Sequence, residues 1–388
     1  MRVATGGRLP SDVVTARPTT GSTPVPSARA AGLPAEDTLL APHTTLGLGG
    51  PARRLVHATT ADEVVAAARA ADGSGEPLLL VGGGSNLVVG DAGFPGTALL
   101  VDHRGHHVVA RDPGSVVVHV EAGTDWDALV ADTVAEGLGG LECLSGIPGR
   151  TGATPVQNVG AYGVEVADVL VDVDLYARRT GRRGSVPAAD LDLGYRTSRL
   201  KGDRNVDGEI VLAVRFRLTT DGLSAPVRYA ELARALGVEP GSRVPVAAAR
   251  EAVLALRRGK GMVIDPDDAD SRSAGSFFTN PVVDPATAAR VAARTEACGQ
   301  LPVTAWPQPD GRVKLSAAAL IERAGVPRGY PGEGAPARVS TKHTLALTHR
   351  GGGTTDDLLA LARDVRDRVE DAFGLVLEPE PVLVSCSL

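Results

Sequence analysis

A long segment with many glycines and very few charges constrains the fold of this chain more than any other feature. Residues 140–166 read GLECLSGIPGRTGATPVQNVGAYGVEV. Such a segment would make a poor solvent-exposed loop, whereas backbone without bulky side chains can pack closely against a flat ligand. A buried system of glycine turns is the alternative. We favour the ligand, and the residues concerned are Gly146, Pro148, Gly149, Gly152, Pro155, Gly160 and Gly163.

A second glycine cluster, GGGSN at residues 82–86, follows the strand-like sequence PLLLV at 77–81. A dinucleotide fingerprint of the Rossmann kind requires the glycine turn to open a helix. Here the turn runs into LVVGDAGFPG, which is β-branched and then interrupted by glycine and proline, so it joins strand to strand. Its unpaired backbone N–H groups would form a nest for an anion such as a pyrophosphate.

Helix and strand patterns predict a folded α/β protein around these two segments. A helix is predicted over 59–73, because Thr60 and Glu63 have capping-box spacing and Gly73 offers an end. The other predicted elements are strands at 115–123 and 169–177, a helix at 125–137, a hairpin turn at 177–183, and a scaffold helix from a Thr354/Asp357 cap to Gly374.

Length, charge and cysteine spacing limit the class of protein. The 388 residues are too many for one compact core, so two or three subdomains are expected. The net charge of −6 gives no reason to expect nucleic acid, which requires a basic face. Three distant cysteines without a C-x-x-C pair indicate a reducing compartment and no zinc ribbon. DHRGHH at 102–107 lacks flanking ligands at metal-site spacing, so we predict a polar turn and no metal.

The first part of the chain differs from the rest in composition. Residues 1–37 are rich in Pro, Thr, Ser and Ala and have no hydrophobic period, which is typical of a disordered tail. Their arginines resemble those of an organelle transit peptide, but Asp12 interrupts the pattern, and no apolar region of a secretory signal follows. No apolar run is long enough to span a membrane. We therefore expect a cytoplasmic protein without a membrane partner.

The stretch SAGSFFTNP at 273–281 places Ser276 directly before two of the five phenylalanines of the chain. One interpretation is a buried strand end whose serine bonds to its own backbone. The other is a proton donor held in a dry pocket. The stretch taken alone favours the strand end.

Five motifs in order make the chain similar to a known family. They are GGGSNLVV, SGIPGRTGATPVQNVGAYGVEV, GYRTSRLK at 194–201, GSFFTNP, and LEPE at 377–380. Together they resemble the UDP-N-acetylenolpyruvoylglucosamine reductases, flavoenzymes that complete UDP-N-acetylmuramate for bacterial peptidoglycan. The resemblance covers about residues 43–385. PVRYAEL at 226–232 resembles the form of the family in which a tyrosine loop covers the substrate.

The resemblance implies non-covalently bound FAD, which takes a hydride from NADPH and passes it to the enolpyruvyl double bond. Reducing an alkene conjugated to a carboxylate requires a hydride source, charge neutralisation at the forming enolate, and an acid for the second carbon. By the resemblance, Ser276 is that acid. Arg196 would stabilise the developing enolate, and Glu380 would assist there.

The resemblance also implies binding residues. Tyr229 would close over the nucleotide diphosphate, and Arg257 and Lys260 would supply positive charge to it. A helix C-terminus that favours cations is an alternative explanation for these two cations. Asn280 and Gln308 would bond to substrate or nicotinamide groups. The FAD-binding residues implied are Gly82, Gly83, Gly84, Ser85, Asn86, Ile147, Pro148, Gly149, Gly152, Ala153, Asn158, Gly160, Ala161, Tyr162 and Gly163.

The expected fold class is α+β. A two-lobed FAD-binding domain of the vanillyl-alcohol-oxidase/PCMH type would cover 38–222, and a mixed α/β substrate-binding domain 223–375. A C-terminal strand in 376–388 would return to the active site. We expect a monomer that acts on a small sugar nucleotide.

Two alternatives stay open. One is another FAD-dependent oxidase on the same cofactor fold, although many such enzymes attach flavin through a His that GGGSN does not offer. The other is a catalytically silent nucleotide-binding protein. The presence of Arg196, Ser276 and Glu380 together argues against it.

Overall fold

The computed structural model describes residues 35–388, so residues 1–34 of the predicted tail lie outside the described residues. Ala35–Thr38 form a short 3-10 helix, and the Thr38 side chain is buried. Regular structure therefore begins before residue 38, where the folded chain was predicted to start.

The first helix shows how the sequence fixes the ends of a helix. Helix α1 is capped by the Thr60 hydroxyl, as predicted, but it ends at Gly75 and not at Gly73. The reason is that Gly75 adopts the left-handed conformation (φ 66°), which glycine accepts at a helix end. Within residues 35–388 the helices are α1 Ala61–Ser74, α2 Trp126–Ala135, α3 Ala230–Leu236, α4 Val246–Gly259, α5 Pro285–Ala297, α6 Ala317–Arg323 and α7 Thr355–Phe373.

The strands of the first part of the chain form two lobes. They are β1 Ala52–Ala58, β2 Leu78–Val81, β3 Leu87–Val89, β4 Phe94–Val101, β5 His106–Asp112, β6 Ser115–Glu121, β7 Gly160–Ala161, β8 Val164–Glu165, β9 Leu170–Ala177, β10 Arg182–Pro187 and β11 Glu209–Thr219. One lobe is a parallel sheet with the order β1-β4-β2, and α1 connects β1 to β2. The other is an antiparallel sheet with the order β10-β9-β11-β6-β5. The turn at 82–86 joins β2 to β3, so the predicted strand-to-strand connection is confirmed.

The second domain has two small antiparallel sheets. Its strands, followed by the last strand of the chain, are β12 Ser273–Ser276, β13 Val282–Val283, β14 Ala305–Pro307, β15 Val313–Leu315, β16 Ala337–Val339, β17 Ala346–His349 and β18 Val382–Val384. The sheet orders are β12-β17-β16 and β13-β15-β14. Strand β18 leaves this domain and pairs in parallel with β3. Helix α7 begins at the predicted Thr354/Asp357 capping box and ends at Gly374.

Two hydrophobic cores divide the chain differently from the predicted boundary at 222/223. The first core includes Trp126 and Phe216, whose rings lie 5.8 Å apart, and also Leu232 of α3 and Val253 of α4. The Arg250 guanidinium pairs with both Asp127 oxygens, at 2.6 and 3.0 Å, which ties α4 to α2. Residues 223–262 therefore pack with the first domain. No pattern in the α4 sequence specifies which of the two cores receives its apolar face.

The second core contains Phe277 and Phe278, together with Leu358 of α7. Leu46 and Val88, which are far away in sequence, belong to the same core. The N-terminal part of the FAD lobe and the second domain are therefore joined by shared apolar packing.

Two shorter predictions have different outcomes. The hairpin turn at 177–183 is confirmed, with Gly181 at φ 68° between β9 and β10. The polar turn at 102–107 is wrong in part, because β5 begins at His106 and His103 is buried. His103 Nε2 lies 2.7 Å from the Leu212 carbonyl oxygen, so one nitrogen of the buried ring is hydrogen-bonded, whereas Nδ1 has no partner among the described residues. Between residues 35 and 388, no helix is both long and apolar enough to cross a membrane.

Candidate active site

A cavity of about 420 Å³ lies where the turn at 82–86, the glycine-rich segment and the second domain meet. Its walls combine backbone and polar side chains with apolar ones such as Ile147 and Val382. In the part of the chain that the structure describes, no histidine or cysteine lines it. The cavity thus offers no side chain of the kind that attaches flavin covalently.

The two glycine segments form one wall by packing backbone on backbone. A Cβ atom on Gly83 would lie 2.6 Å from the Cα of Gly149, and one on Gly152 would lie 2.4 Å from the Cβ of Ala122. Side chains at these positions would push the segments apart. The buried turn system that the sequence left as an alternative is therefore present, and it also supplies a cavity wall with little side-chain bulk.

Most of the residues expected to bind FAD line this cavity. They are Gly82, Gly83, Gly84, Ser85, Asn86, Ile147, Pro148, Gly149, Gly152, Ala153 and Gly160.

Asn158 does not line it, because its side chain is buried in the loop. Its amide donates to the Glu165 carboxylate (2.7 Å) and to the Gly194 carbonyl (3.2 Å), and its oxygen accepts from Ala167 N–H (3.0 Å). These bonds make Asn158 a support for the segment that carries Arg196.

Ala161, Tyr162 and Gly163 also lie outside the cavity wall. Tyr162 and Gly163, at φ 51° and 81°, form the tight turn between β7 and β8. The Tyr162 ring packs edge-on against Tyr229, with ring centroids 5.6 Å apart. Tyr162 and Gly163 of the GAYG motif thus form a hairpin turn. The motif alone could not show whether these residues form a turn or contact a ligand.

Arg196 and Glu380 meet in the cavity, although 184 positions separate them in the chain (380 − 196). Arg196 Nε lies 3.0 Å from Glu380 Oε1, and Arg196 Nη2 donates to the Gly160 carbonyl at 2.9 Å. Glu380 is carried there by the segment before β18, whose backbone bonds to Phe277 and Asn86. The pairing of β18 with β3 therefore brings a C-terminal carboxylate to a site built by the first domain.

Ser276 ends β12 and lines the same cavity. Within residues 35–388 its hydroxyl makes no hydrogen bond. The preceding Gly275 has φ 75°, and a Cβ there would have no protein atom within 4 Å, so the strand end faces open space. Phe277 and Phe278 then turn into the second core, with ring centroids 5.1 Å apart. The strand-end interpretation is confirmed for the backbone, whereas the expected bond of the serine to its own backbone is absent.

The electrostatics of Glu380 depend on burial and on two cations. Burial raises the pKa of the Glu380 carboxyl, and the positive charges of Arg196 and Lys201 oppose this shift. Burial lowers the pKa of Lys201, while Glu380 raises it. Lys201 lines the cavity and was not among the expected site residues. The only feature of the sequence that could have indicated Lys201 as a site residue was its position in GYRTSRLK, five residues after Arg196.

Arg257 presents an unpaired cation at the cavity. It lies in the last turn of α4, and its Nε has no hydrogen-bond partner among the described residues. Nη2 donates to the Met262 carbonyl at 2.8 Å, and burial lowers the pKa of the guanidinium. A buried cation without a carboxylate partner suits an anionic ligand. The backbone wall and the apolar patches together fit FAD, which has a flat ring, and this cation is available to an anionic group of a second ligand.

Lys260 and Tyr229 lie beside Arg257 but outside the cavity wall. Lys260 Nζ is 2.5 Å from Glu231 Oε2 and 5.8 Å from the Tyr162 ring centroid. Tyr229 precedes α3 and is largely exposed. His343 faces the same group, and burial together with Lys260 lowers its pKa to about 4, so it is neutral at pH 7.

Asn280 and Gln308 are not brought to the cavity wall. Asn280 Oδ1 accepts from Ala317 N–H at 2.9 Å, and its amide lies 3.4 Å from the Tyr195 hydroxyl. Gln308 donates to the carbonyls of Trp306 and Pro307 at the end of its own hairpin. Both side chains support local structure here.

Arg150 is another residue of the wall that the sequence did not single out. Its guanidinium lies 3.1 Å from Asp102 and 3.5 Å from Asp125. A Cβ atom placed on Gly82 would lie 3.4 Å from the Cβ of Arg150. Arg150 is a single arginine within a glycine-rich motif. Nothing in the sequence around it predicts its contact with the turn at 82–86.

Comparison with known proteins agrees with these features. Residues 52–183 match the family of FAD binding domains, and residues 265–384 match the C-terminal domain of UDP-N-acetylenolpyruvoylglucosamine reductase. The enzyme of that name from Saccharopolyspora erythraea is 59% identical over 92% of this chain and 97% of its own. The one from Streptomyces avermitilis is 57% identical over 91% of this chain and 95% of its own.

A solved structure supports the same conclusion. The crystal structure of UDP-N-acetylenolpyruvylglucosamine reductase from Thermus caldophilus is 27% identical, with a TM-score of 0.57, and covers 89% of this chain and 97% of that one. The expected α+β fold with an FAD-binding domain is thereby confirmed. The chain belongs to the family of UDP-N-acetylenolpyruvoylglucosamine reductases, which are FAD-containing oxidoreductases.

Proposed function

We propose that Ser276, Arg196 and Glu380 carry out the family reaction in this chain, the NADPH-dependent reduction of the enolpyruvyl group of UDP-N-acetylglucosamine enolpyruvate to UDP-N-acetylmuramate. Bound FAD supplies the hydride in this reaction. The observation that supports the assignment is the meeting of these three side chains in one cavity, from three distant parts of the sequence.

Ser276 donates the proton. Hydride addition at the terminal carbon moves the electron pair of the double bond to the carbon next to the carboxylate, where it is delocalised into the carboxylate oxygens as an enolate. The Ser276 hydroxyl, which has no hydrogen-bond partner among residues 35–388, gives its proton to the carbon next to the carboxylate and later recovers one from solvent. Serine is a weak acid, so it suits protonation of a strongly basic carbon.

Arg196 stabilises the enolate while the charge develops. A guanidinium at a partly dry site interacts strongly with a developing oxyanion. Glu380 orients this guanidinium through their 3.0 Å contact. The Glu380 carboxylate also balances the positive charges of Arg196 and Lys201 before the substrate carboxylate enters, which keeps Arg196 in place.

Arg257 is the residue best placed to bind the diphosphate of the sugar nucleotide, because its buried charge lacks a carboxylate partner. Lys260 and Tyr229, which lie beside it, would join when the exposed Tyr229 segment closes over the ligand. Asn280 and Gln308 would have to leave their present hydrogen bonds to reach the substrate. We assign them this role on the family resemblance alone.

The domain division is also part of the proposal. Residues 38–262 would form the two-lobed cofactor domain, 263–375 the substrate-binding domain, and 376–388 the strand that carries Glu380 back to the first. The protein would act as a cytoplasmic monomer.

Isotope labelling tests the proposed chemistry. Turnover in deuterated water with unlabelled NADPH should place deuterium on the carbon next to the carboxylate, because that proton comes from an exchangeable hydroxyl, and on the terminal carbon only to the extent that the hydride hydrogen exchanges with solvent while the cofactor holds it. NADPH labelled at the transferred position, in ordinary water, should label the terminal carbon if the flavin is kept from exchange. Proton NMR of the UDP-N-acetylmuramate product locates the label. Deuterium on the terminal carbon alone would contradict the assignment of the two steps.

A further inference from the structure

The backbone that presents Arg196 to the cavity has an unusual conformation. Gly194 and Thr197 exchange backbone hydrogen bonds of 3.0 and 3.2 Å, which leaves Tyr195 and Arg196 as the two central residues of a tight turn. Arg196 has φ 54°, in the left-handed region that non-glycine residues seldom occupy. Such a conformation persists only where the surroundings hold it, and it occurs most often at functional sites.

Lys201 provides the contact that holds this turn. Its Nζ donates to the backbone carbonyl of Arg196 at 3.0 Å. This carbonyl belongs to the peptide that links Arg196 to Thr197, and Lys201 itself forms part of the cavity wall. A charge-assisted bond to this carbonyl fixes the peptide plane, and the plane sets the direction of the Arg196 side chain.

We propose that Lys201 is a positioning residue for the reduction step, which holds Arg196 in its left-handed conformation and stabilises Glu380 as a carboxylate. The proposal rests on the roles proposed above for Arg196 and Glu380. In this role Lys201 does not contact the reacting carbon.

The charge of Lys201 supports the second half of this role. The Glu380 carboxyl faces Arg196 and Lys201, and the Tyr195 phenol is a further titratable neighbour, while the Asn86 amide donates to the Glu380 backbone carbonyl at 3.5 Å. Burial favours the protonated carboxyl, and the two cations are the groups that oppose it. Loss of the Lys201 charge therefore raises the pKa of Glu380 further, so the ion pair with Arg196 breaks at a higher pH.

The test compares Lys201→Met, Lys201→Arg and the matched control Arg204→Met in the FAD-loaded protein. Arg204 lies in the same segment and bonds to the Thr197 hydroxyl and to Asp192, but it does not line the cavity. Anaerobic stopped-flow absorbance follows flavin reduction by NADPH and reoxidation by the enolpyruvyl substrate separately. Lys201→Met should slow reoxidation at least tenfold more than reduction, and the acid limb of its pH profile should move to higher pH. Lys201→Arg should recover most of the rate and the original profile.

Three outcomes would overturn the inference. They are a Lys201→Met protein that behaves like Arg204→Met, equal slowing of both half-reactions, and no recovery with Lys201→Arg. Arg196→Met is measured in parallel to separate this inference from the proposed function. If Arg196→Met leaves reoxidation intact, the proposed function fails. If it abolishes reoxidation while Lys201→Met resembles the control, only the role of Lys201 fails.

Discussion

Replacing Ser276 with alanine should separate the two half-reactions while leaving the fold intact. The Ser276 hydroxyl makes no hydrogen bond within residues 35–388, so its removal should change the free energy of unfolding by no more than about 0.5 kcal/mol. Flavin reduction by NADPH requires no proton from Ser276 and should proceed at nearly its normal rate. Reoxidation by the enolpyruvyl substrate should slow by roughly 10²–10⁴-fold, or about 3–5 kcal/mol in barrier height.

Anaerobic stopped-flow absorbance in the flavin band measures each half-reaction, and thermal unfolding checks the stability. Ser273→Ala is the control, because Ser273 belongs to the same strand but its buried hydroxyl accepts from Gly275 N–H and does not line the cavity. Ser276→Cys should recover part of the reoxidation rate, since a thiol is the stronger acid. Equal slowing of both half-reactions by Ser276→Ala would show that the hydroxyl has only a structural role.

Three other predictions concern the whole protein. Acid or heat precipitation should release FAD into the supernatant, and colour that stays with the precipitate would indicate a covalent bond. A chain that begins at Ala35 should keep its melting temperature and its activity, and a large loss of either would show that residues 1–34 are required. Initial rates should follow a ping-pong pattern with inhibition by excess enolpyruvyl substrate, because we expect NADPH and this substrate to use the same cavity in turn; intersecting lines would exclude this.

Local patterns predicted much of the fold. The Thr354/Asp357 box and Gly374 gave both ends of α7, because caps are local hydrogen bonds between neighbouring residues. The β-branched residues after the turn at 82–86 correctly indicated that this turn leads into a strand and is not a Rossmann fingerprint. The packing of α3 and α4 with the first core could not be predicted from the sequence, since their apolar faces could pack against either core, and the domain boundary stays a prediction.

The site was less accessible to prediction from sequence. The meeting of Arg196 with Glu380 depends on the parallel pairing of β18 with β3, which no local pattern specifies. Asn158 was expected at the cofactor because it lies in a glycine-rich motif, yet its three hydrogen bonds support the loop. Lys201 was overlooked because its partner is a backbone carbonyl, and that contact depends on a turn with positive φ.

The most direct test of the account is an anaerobic absorbance titration of the purified, FAD-loaded protein. Stoichiometric NADPH should bleach the flavin band, and UDP-N-acetylglucosamine enolpyruvate should then restore it while an equal amount of UDP-N-acetylmuramate forms. UDP-N-acetylglucosamine, which lacks the enolpyruvyl group, is the control and should leave the band bleached. A band that NADPH does not bleach, or that only oxygen restores, would contradict the conclusion that this cavity reduces an enolpyruvyl group.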